Sequence, residues 1–276
     1  MKKMTIALAC CFAFAALQAQ VKMPAPSPGQ TIKQDFALGS IEIKYSRPAM
    51  KGRKVFGDLV PFDKLWRTGA NAATLVKLTD AIEIQGKKLD TGSYVLYTIP
   101  GTGSWEIIFN KGLTNWGSDG YKESEDVLRV KLPAKKLKDN VESFTLDFSD
   151  IKPESCNLNI SWEKTQVSIP IVATIKDRIR AQLTEALKGD KKPNWLAAQF
   201  YNEYDNNPSK ALEYAAAATN DNPKAFWVWI YKAKIEKALG KKAEAMASSQ
   251  KSLELAKEAK NDDYIKMNLD LQKTLK

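Results

Sequence analysis

From Ile32 to Ala173, apolar and polar side chains alternate with a period of two. Ile41, Ile43 and Tyr45 alternate with Glu42, Lys44 and Ser46, and Ile82 and Ile84 with Glu83 and Gln85. Phe144, Leu146 and Phe148 repeat the pattern, as do Cys156, Leu158, Ile160 and Trp162, and then Val167, Ile169 and Ile171. Each run predicts a strand with one buried face. Tyr94 to Ile99 and most of Trp105 to Phe109 are apolar on both faces, which predicts central strands. Pro100-Gly101-Thr102-Gly103 joins them as a hairpin, Gln85-Gly86-Lys87-Lys88 is a second turn, and Asp126 to Leu132 is a further strand. About nine short strands without intervening helices predict an antiparallel, jelly-roll-like β-sandwich over 30–172.

At Thr174 the period becomes helical. Ile175, Ile179, Leu183 and Leu187 share one face, and Gly189 ends the helix. The pattern predicts six helices, over 174–188, 193–206, 208–220, 223–239, 241–259 and 261–274, in an all-α domain of helical hairpins over 173–276. Trp195 and Trp229 lie 34 residues apart, and so do Ala211 and Ala245. With Pro223, Ala233, Gly240 and Leu253, this spacing resembles tetratricopeptide repeats; Glu236 stands where that family prefers an aromatic. The resemblance implies a concave surface that holds a protein partner, or a tail that steadies the sandwich.

Before the strands, Lys2 and Lys3 precede the apolar stretch Met4 to Leu17, and Ala19 is a small residue at a cleavage position. Residues 1–19 therefore read as a secretory signal too short to span a membrane, with a Pro-rich linker over 20–29. The mature chain is expected to be periplasmic or secreted, with no transmembrane helix. Only Cys156 remains after the signal, so no internal disulfide can form.

The stretch between the first strands and the sheet centre, Tyr45 to Thr74, follows neither period. A long irregular segment in a compact domain usually carries function. It holds Arg47, Lys51, Arg53, Arg67 and Asn71, with Trp66 as a flat surface. Guanidinium groups bind carboxylate, phosphate or sulfate bidentately. Trp116 and Tyr121, in a Gly-rich segment, are the other candidate ligand-binding side chains. The competing reading is that the cations bond the loop's own carbonyls, Asp58 and Asp63, and that the aromatics staple loops to the sandwich.

Composition narrows the chemistry. The chain of 276 residues has no histidine, which excludes Ser-His-Asp and Cys-His catalysis and His-based zinc and iron sites. The net charge of +10 is spread along the chain among acidic residues, unlike the clustered footprint of a nucleic-acid binder. Asp119, Glu123, Glu125 and Asp126 are acidic neighbours that do not follow a calcium-loop order. No cofactor and no metal is expected. Lys51 with Ser46 as nucleophile has only sequence proximity behind it, and Cys156 reads as a buried thiol.

One resemblance covers about residues 28–172. Ser46-Arg47-Pro48, Lys51-Gly52-Arg53, Phe56-Gly57, Pro61 and Trp66-Arg67-Thr68-Gly69-Ala70-Asn71 carry it, followed by Thr74, Gly92 with Tyr94, Ile99-Pro100-Gly101 and Trp105. Phe109-Asn110-Lys111, Trp116-Gly117, Tyr121 and Asp126 with Arg129 complete it. The segment resembles the family catalogued as domain of unknown function 2911, typical of exported Bacteroidetes proteins, some with tetratricopeptide-like tails. The resemblance implies compartment and domain limits and supplies no mechanism. The reading that results is an exported, non-enzymatic binding protein for an anionic or carbohydrate-like ligand. A carboxylate-dependent hydrolase of envelope glycans and a structural envelope-assembly protein are the alternatives.

Overall fold

The computed structural model describes residues 23–276. The expected signal over 1–19 and the start of the Pro-rich linker lie outside the described residues. The chain forms two compact units, one holding the sheet and one built mainly of residues 172–276.

Among the described residues, the first unit contains nine strands: β1 Gly29–Phe36, β2 Gly39–Ser46, β3 Thr74–Leu78, β4 Ile82–Ile84, β5 Lys87–Leu89, β6 Gly92–Pro100, β7 Ser104–Asn110, β8 Asp126–Lys152 and β9 Ser155–Val172. They form one sheet in the order β1-β2-β3-β6-β7-β8-β9-β4-β5. β6 and β7 stand near its middle, as their two apolar faces require. Along β6, Tyr94 and Leu96 bury on one face, and Val95 and Tyr97 on the other. The hairpin pairs Pro100 with Trp105 and Leu96 with Phe109. β4 and β5 meet at a turn whose Gln85 and Gly86 both have positive φ, 50° and 72°, the twist that a two-residue hairpin favours.

The sheet folds over on itself. β2 and β8 are four places apart in the order, yet the Tyr45 and Phe144 rings meet edge to face at 5.8 Å. The Phe144 amide donates to the Pro48 carbonyl at 2.9 Å, and the Met50 amide to that of Glu142 at 2.8 Å. The enclosed core centres on Trp105, Phe144 and Trp162, all almost fully buried.

Two strands are far longer than the short runs expected. β8 continues through Ala134 to Val141, where Lys135, Lys136, Lys138 and Asp139 leave no buried face. Alternation cannot signal a strand that meets solvent on both sides. β9 likewise continues through Glu163 to Gln166, with Glu163 at φ 54°.

The second unit holds six helices: α1 Lys176–Ala186, α2 Asn194–Gln199, α3 Pro208–Asp221, α4 Phe226–Ala238, α5 Lys242–Glu258 and α6 Asp262–Lys273. α2 widens into a π turn at Phe200–Tyr204 instead of continuing regularly. Ala211, Ala215, Ala233 and Ala245 are fully buried, so backbones approach closely where those helices pack. Trp195 fills the space beside Ala218, Ala225 and Val228. No helix among the described residues is long and apolar enough to cross a membrane.

Candidate functional site

The irregular segment between β2 and β3 is anchored at several points. The Asp63 amide donates to the Pro100 carbonyl at 2.8 Å. Trp66 and Thr98 of β6 exchange backbone hydrogen bonds at 2.8 and 3.0 Å. The next turn is unusual. Thr68 has φ 52° and Asn71 φ 59°, and a β-branched residue in the left-handed region is a true outlier costing about 1–3 kcal/mol. Burial and two hydrogen bonds hold Thr68 there. Its hydroxyl lies 3.1 Å from that of Thr98, and its carbonyl accepts from the Thr74 hydroxyl at 2.6 Å. Gly69 completes the turn at φ 150°, where a Cβ would sit 3.1 Å from the Ser46 carbonyl oxygen.

This platform separates the candidate side chains by role. Trp66 is 8% exposed. Its indole stacks on Trp162 at 6.0 Å and 18°, meets Phe144 edge-on at 5.2 Å, and donates to the Gly69 carbonyl. It belongs to the core and presents little surface to a ligand. Arg47 donates from Nε to the Phe144 carbonyl at 3.0 Å and from Nη2 to Thr145 Oγ1 at 2.8 Å. Arg53 donates to the Met50 and Ala49 carbonyls at 2.9 and 2.7 Å. Lys51 is exposed at φ 51°, and its amide donates to Glu142. Asn71 donates to the Ser27 carbonyl and the Ser46 hydroxyl, which occupies the proposed nucleophile of the Lys51 pair.

Arg67 differs. Its Nε is buried without any hydrogen-bond partner. Gly117 lies against it: a Cβ there would stand 3.4 Å from Arg67 Nη1 and 3.5 Å from Cδ. Gly117 has φ 65°, and its carbonyl accepts from Tyr97 at 3.1 Å. The glycine therefore lets its segment close over one side of the guanidinium.

A cleft of about 360 Å³ opens beside Arg67. Arg53, Lys64, Arg67, Ser27 and Ser118 supply its polar wall, and Pro48, Leu59, Val60, Pro61, Leu65 and the edges of Trp66 and Trp162 its apolar wall. No Asp or Glu lines it among the described residues. Of the expected site residues, the structure brings Arg53, Trp66 and Arg67 together here. Arg47, Lys51, Asn71, Trp116 and Tyr121 lie outside the lining. Trp116 is 70% exposed, although Ser118, two residues on, reaches the cleft. Lys64 was not among the expected residues, although it is a further cation of the same loop. Ser27 and Trp162 reach the cleft only through tertiary folding.

Tyr121 belongs to a second cluster. Its hydroxyl donates to Asp126 Oδ2 at 2.9 Å and accepts from Arg129 Nη2 at 2.7 Å. Arg129 also pairs with Glu106 at 2.6 Å and Asp126 at 2.7 Å. Burial, and then the Asp126 carboxylate, hold the Tyr121 hydroxyl well above the usual tyrosine range. Asn110 donates to the Lys122 carbonyl and to Asp126. These bonds clamp the 111–125 segment onto β7 and β8. Asp126 is thus committed to Arg129, Tyr121 and Asn110, and among the described residues no group of three metal-ligating side chains converges.

The fold and the cleft define a curled antiparallel sheet protein with a cationic recess that, among the described residues, no carboxylate lines. Residues 27–171 match the family described as Protein of unknown function (DUF2911), and the chain belongs to that family. No curated protein and no solved structure matches the chain.

Proposed function

We propose that the chain is an exported binding protein whose sheet unit takes a small anionic ligand in the cleft beside Arg67. One observation carries this reading. The Nε of Arg67 is buried without a hydrogen-bond partner, in a recess that adds Lys64 and Arg53 and, among the described residues, no carboxylate. A buried guanidinium N–H without a partner is costly to fold around, and an anion held by the same guanidinium offsets that cost. The rigid, strained turn after Trp66 supports the same reading, since such strain collects at ligand clamps. A neutral carbohydrate is less well served, because among the described residues neither a carboxylate nor a side-chain amide lines the cleft to take its hydroxyls. The glycan-hydrolase alternative has no carboxylate pair here to rest on.

The leader-like residues 1–19 favour the periplasm or the exterior, in keeping with the Bacteroidetes-type resemblance. The helical unit is read as a tetratricopeptide-like partner surface. An apolar groove of about 450 Å³, lined by Leu38, Ile179, Leu183, Leu196, Phe200 and Tyr204, supports this.

Thermal-shift screening of the chain with small anions and neutral sugars tests the reading. Anions should raise the melting temperature of the wild type and not of Arg67→Met. Equal shifts in both proteins, or shifts with sugars alone, would sink it.

A further inference from the structure

The cleft has two unlike walls, and together they narrow its ligand. We infer that it takes an amphiphilic monocarboxylate: one carboxylate on a compact apolar or aromatic body. This rests on the anion-site reading above and goes one step further. The cationic side offers one uncommitted guanidinium, Arg67, with Lys64 at the rim, while the Nε and Nη2 of Arg53 already serve the Met50 and Ala49 carbonyls. That supply suits a single planar charge, which one guanidinium grips through two parallel hydrogen bonds. Phosphate sites are commonly built from helix N-terminal amides. Here the lining comes from loops and from Trp162 of β9, and no helix contributes to it.

The opposite wall is apolar: Pro48, Val60, Pro61, Leu65 and the edges of the stacked Trp66–Trp162 pair. A bare inorganic anion would leave this wall facing water, whereas an apolar body covers it. The cleft volume of about 360 Å³, at roughly 30 Å³ per water-sized group, holds about a dozen heavy atoms. Hydrocinnamate has this size and shape, with a carboxylate at one end and a phenyl ring at the other.

The test is calorimetric titration of the full chain with hydrocinnamate, its neutral counterpart hydrocinnamyl alcohol, acetate, inorganic phosphate and glucuronate. Hydrocinnamate should bind at least tenfold tighter than each of the other four. Arg67→Met should weaken it at least tenfold without lowering the melting temperature. Lys64→Glu, at an exposed rim position where folding is not at stake, should weaken it severalfold. If acetate, phosphate or glucuronate binds as well as hydrocinnamate and depends on Arg67, the anion site stands and the amphiphile inference falls. If the alcohol binds as well as the acid, or if none of the five binds, both readings fall.

Discussion

Arg47 and Arg67 sit twenty residues apart in one loop, and replacing each by methionine should move stability in different directions. Arg47→Met removes two hydrogen bonds from a charged donor, to the Phe144 carbonyl and to Thr145 Oγ1. Bonds of this kind contribute about 1.5–3 kcal/mol each when well shielded. Arg47 is half-buried, and the threonine oxygen can turn to water, so the pair should contribute about 2–3 kcal/mol in all. For a domain of this size, that lowers the melting temperature by about 4–10 °C. Arg67→Met removes no hydrogen bond at Nε and relieves a desolvated charge. Its effect should lie between zero and about 1 kcal/mol of stabilisation. Urea unfolding followed by tryptophan fluorescence reports on both, since Trp66, Trp105 and Trp162 form the core of the sheet unit. A loss in Arg67→Met as large as that in Arg47→Met would mean that Arg67 holds the loop together, and the binding argument would lose its basis.

Three other outcomes follow from particular contacts. Asn268 on α6 is fully buried, accepts from Ser249 Oγ at 2.9 Å, and donates to Ser252 Oγ and the Tyr264 carbonyl, both at 2.8 Å; Asn268→Leu should cost the helical unit about 2–4 kcal/mol, and unchanged thermal melting by far-ultraviolet circular dichroism would refute the role of this network. Burial pushes the Cys156 thiol up from 9.0 to about 11. The thiol therefore stays protonated in the fold while the unfolded chain ionises, and its contribution, complete below about pH 9, is lost as pH rises toward 11. Stability of the wild type should fall more steeply with pH across that window than that of Cys156→Ala, by about 1–3 kcal/mol, and native protein at pH 8 should resist thiol reagents; rapid labelling would contradict this. Gly117→Ala places a Cβ against Arg67 at φ 65°, so it should cost about 1 kcal/mol and weaken anion binding in calorimetry; unaltered affinity would show that Gly117 does not position the guanidinium.

The central strands, the antiparallel sheet and the helical switch at Thr174 were legible because burial writes itself into the period of apolar positions. The length of β8 was not, because its 134–141 stretch has no buried face to mark. The candidate site was legible as a region and not as a set of roles. Arg47, Arg53 and Arg67 look alike in the sequence, and their fates differ through long-range geometry. Arg47 meets a carbonyl 97 residues away, brought to it by the second half of β8. Arg53 finds carbonyls three and four residues back. Arg67 finds none at Nε, because its neighbours are fixed to β6 and Gly117 closes over it. Trp66 looked like a binding surface, and it became core because Trp162 arrives from β9 to stack on it.

The most direct measurement follows the arginine Nε–H resonances by nuclear magnetic resonance during a titration with hydrocinnamate. The signal of Arg67 should shift saturably and vanish from the spectrum of Arg67→Met, while that of Arg47, outside the cleft lining, holds its position. Shifts confined to Arg47 or Arg53, or weak non-saturating drift of all the arginines together, would contradict the account.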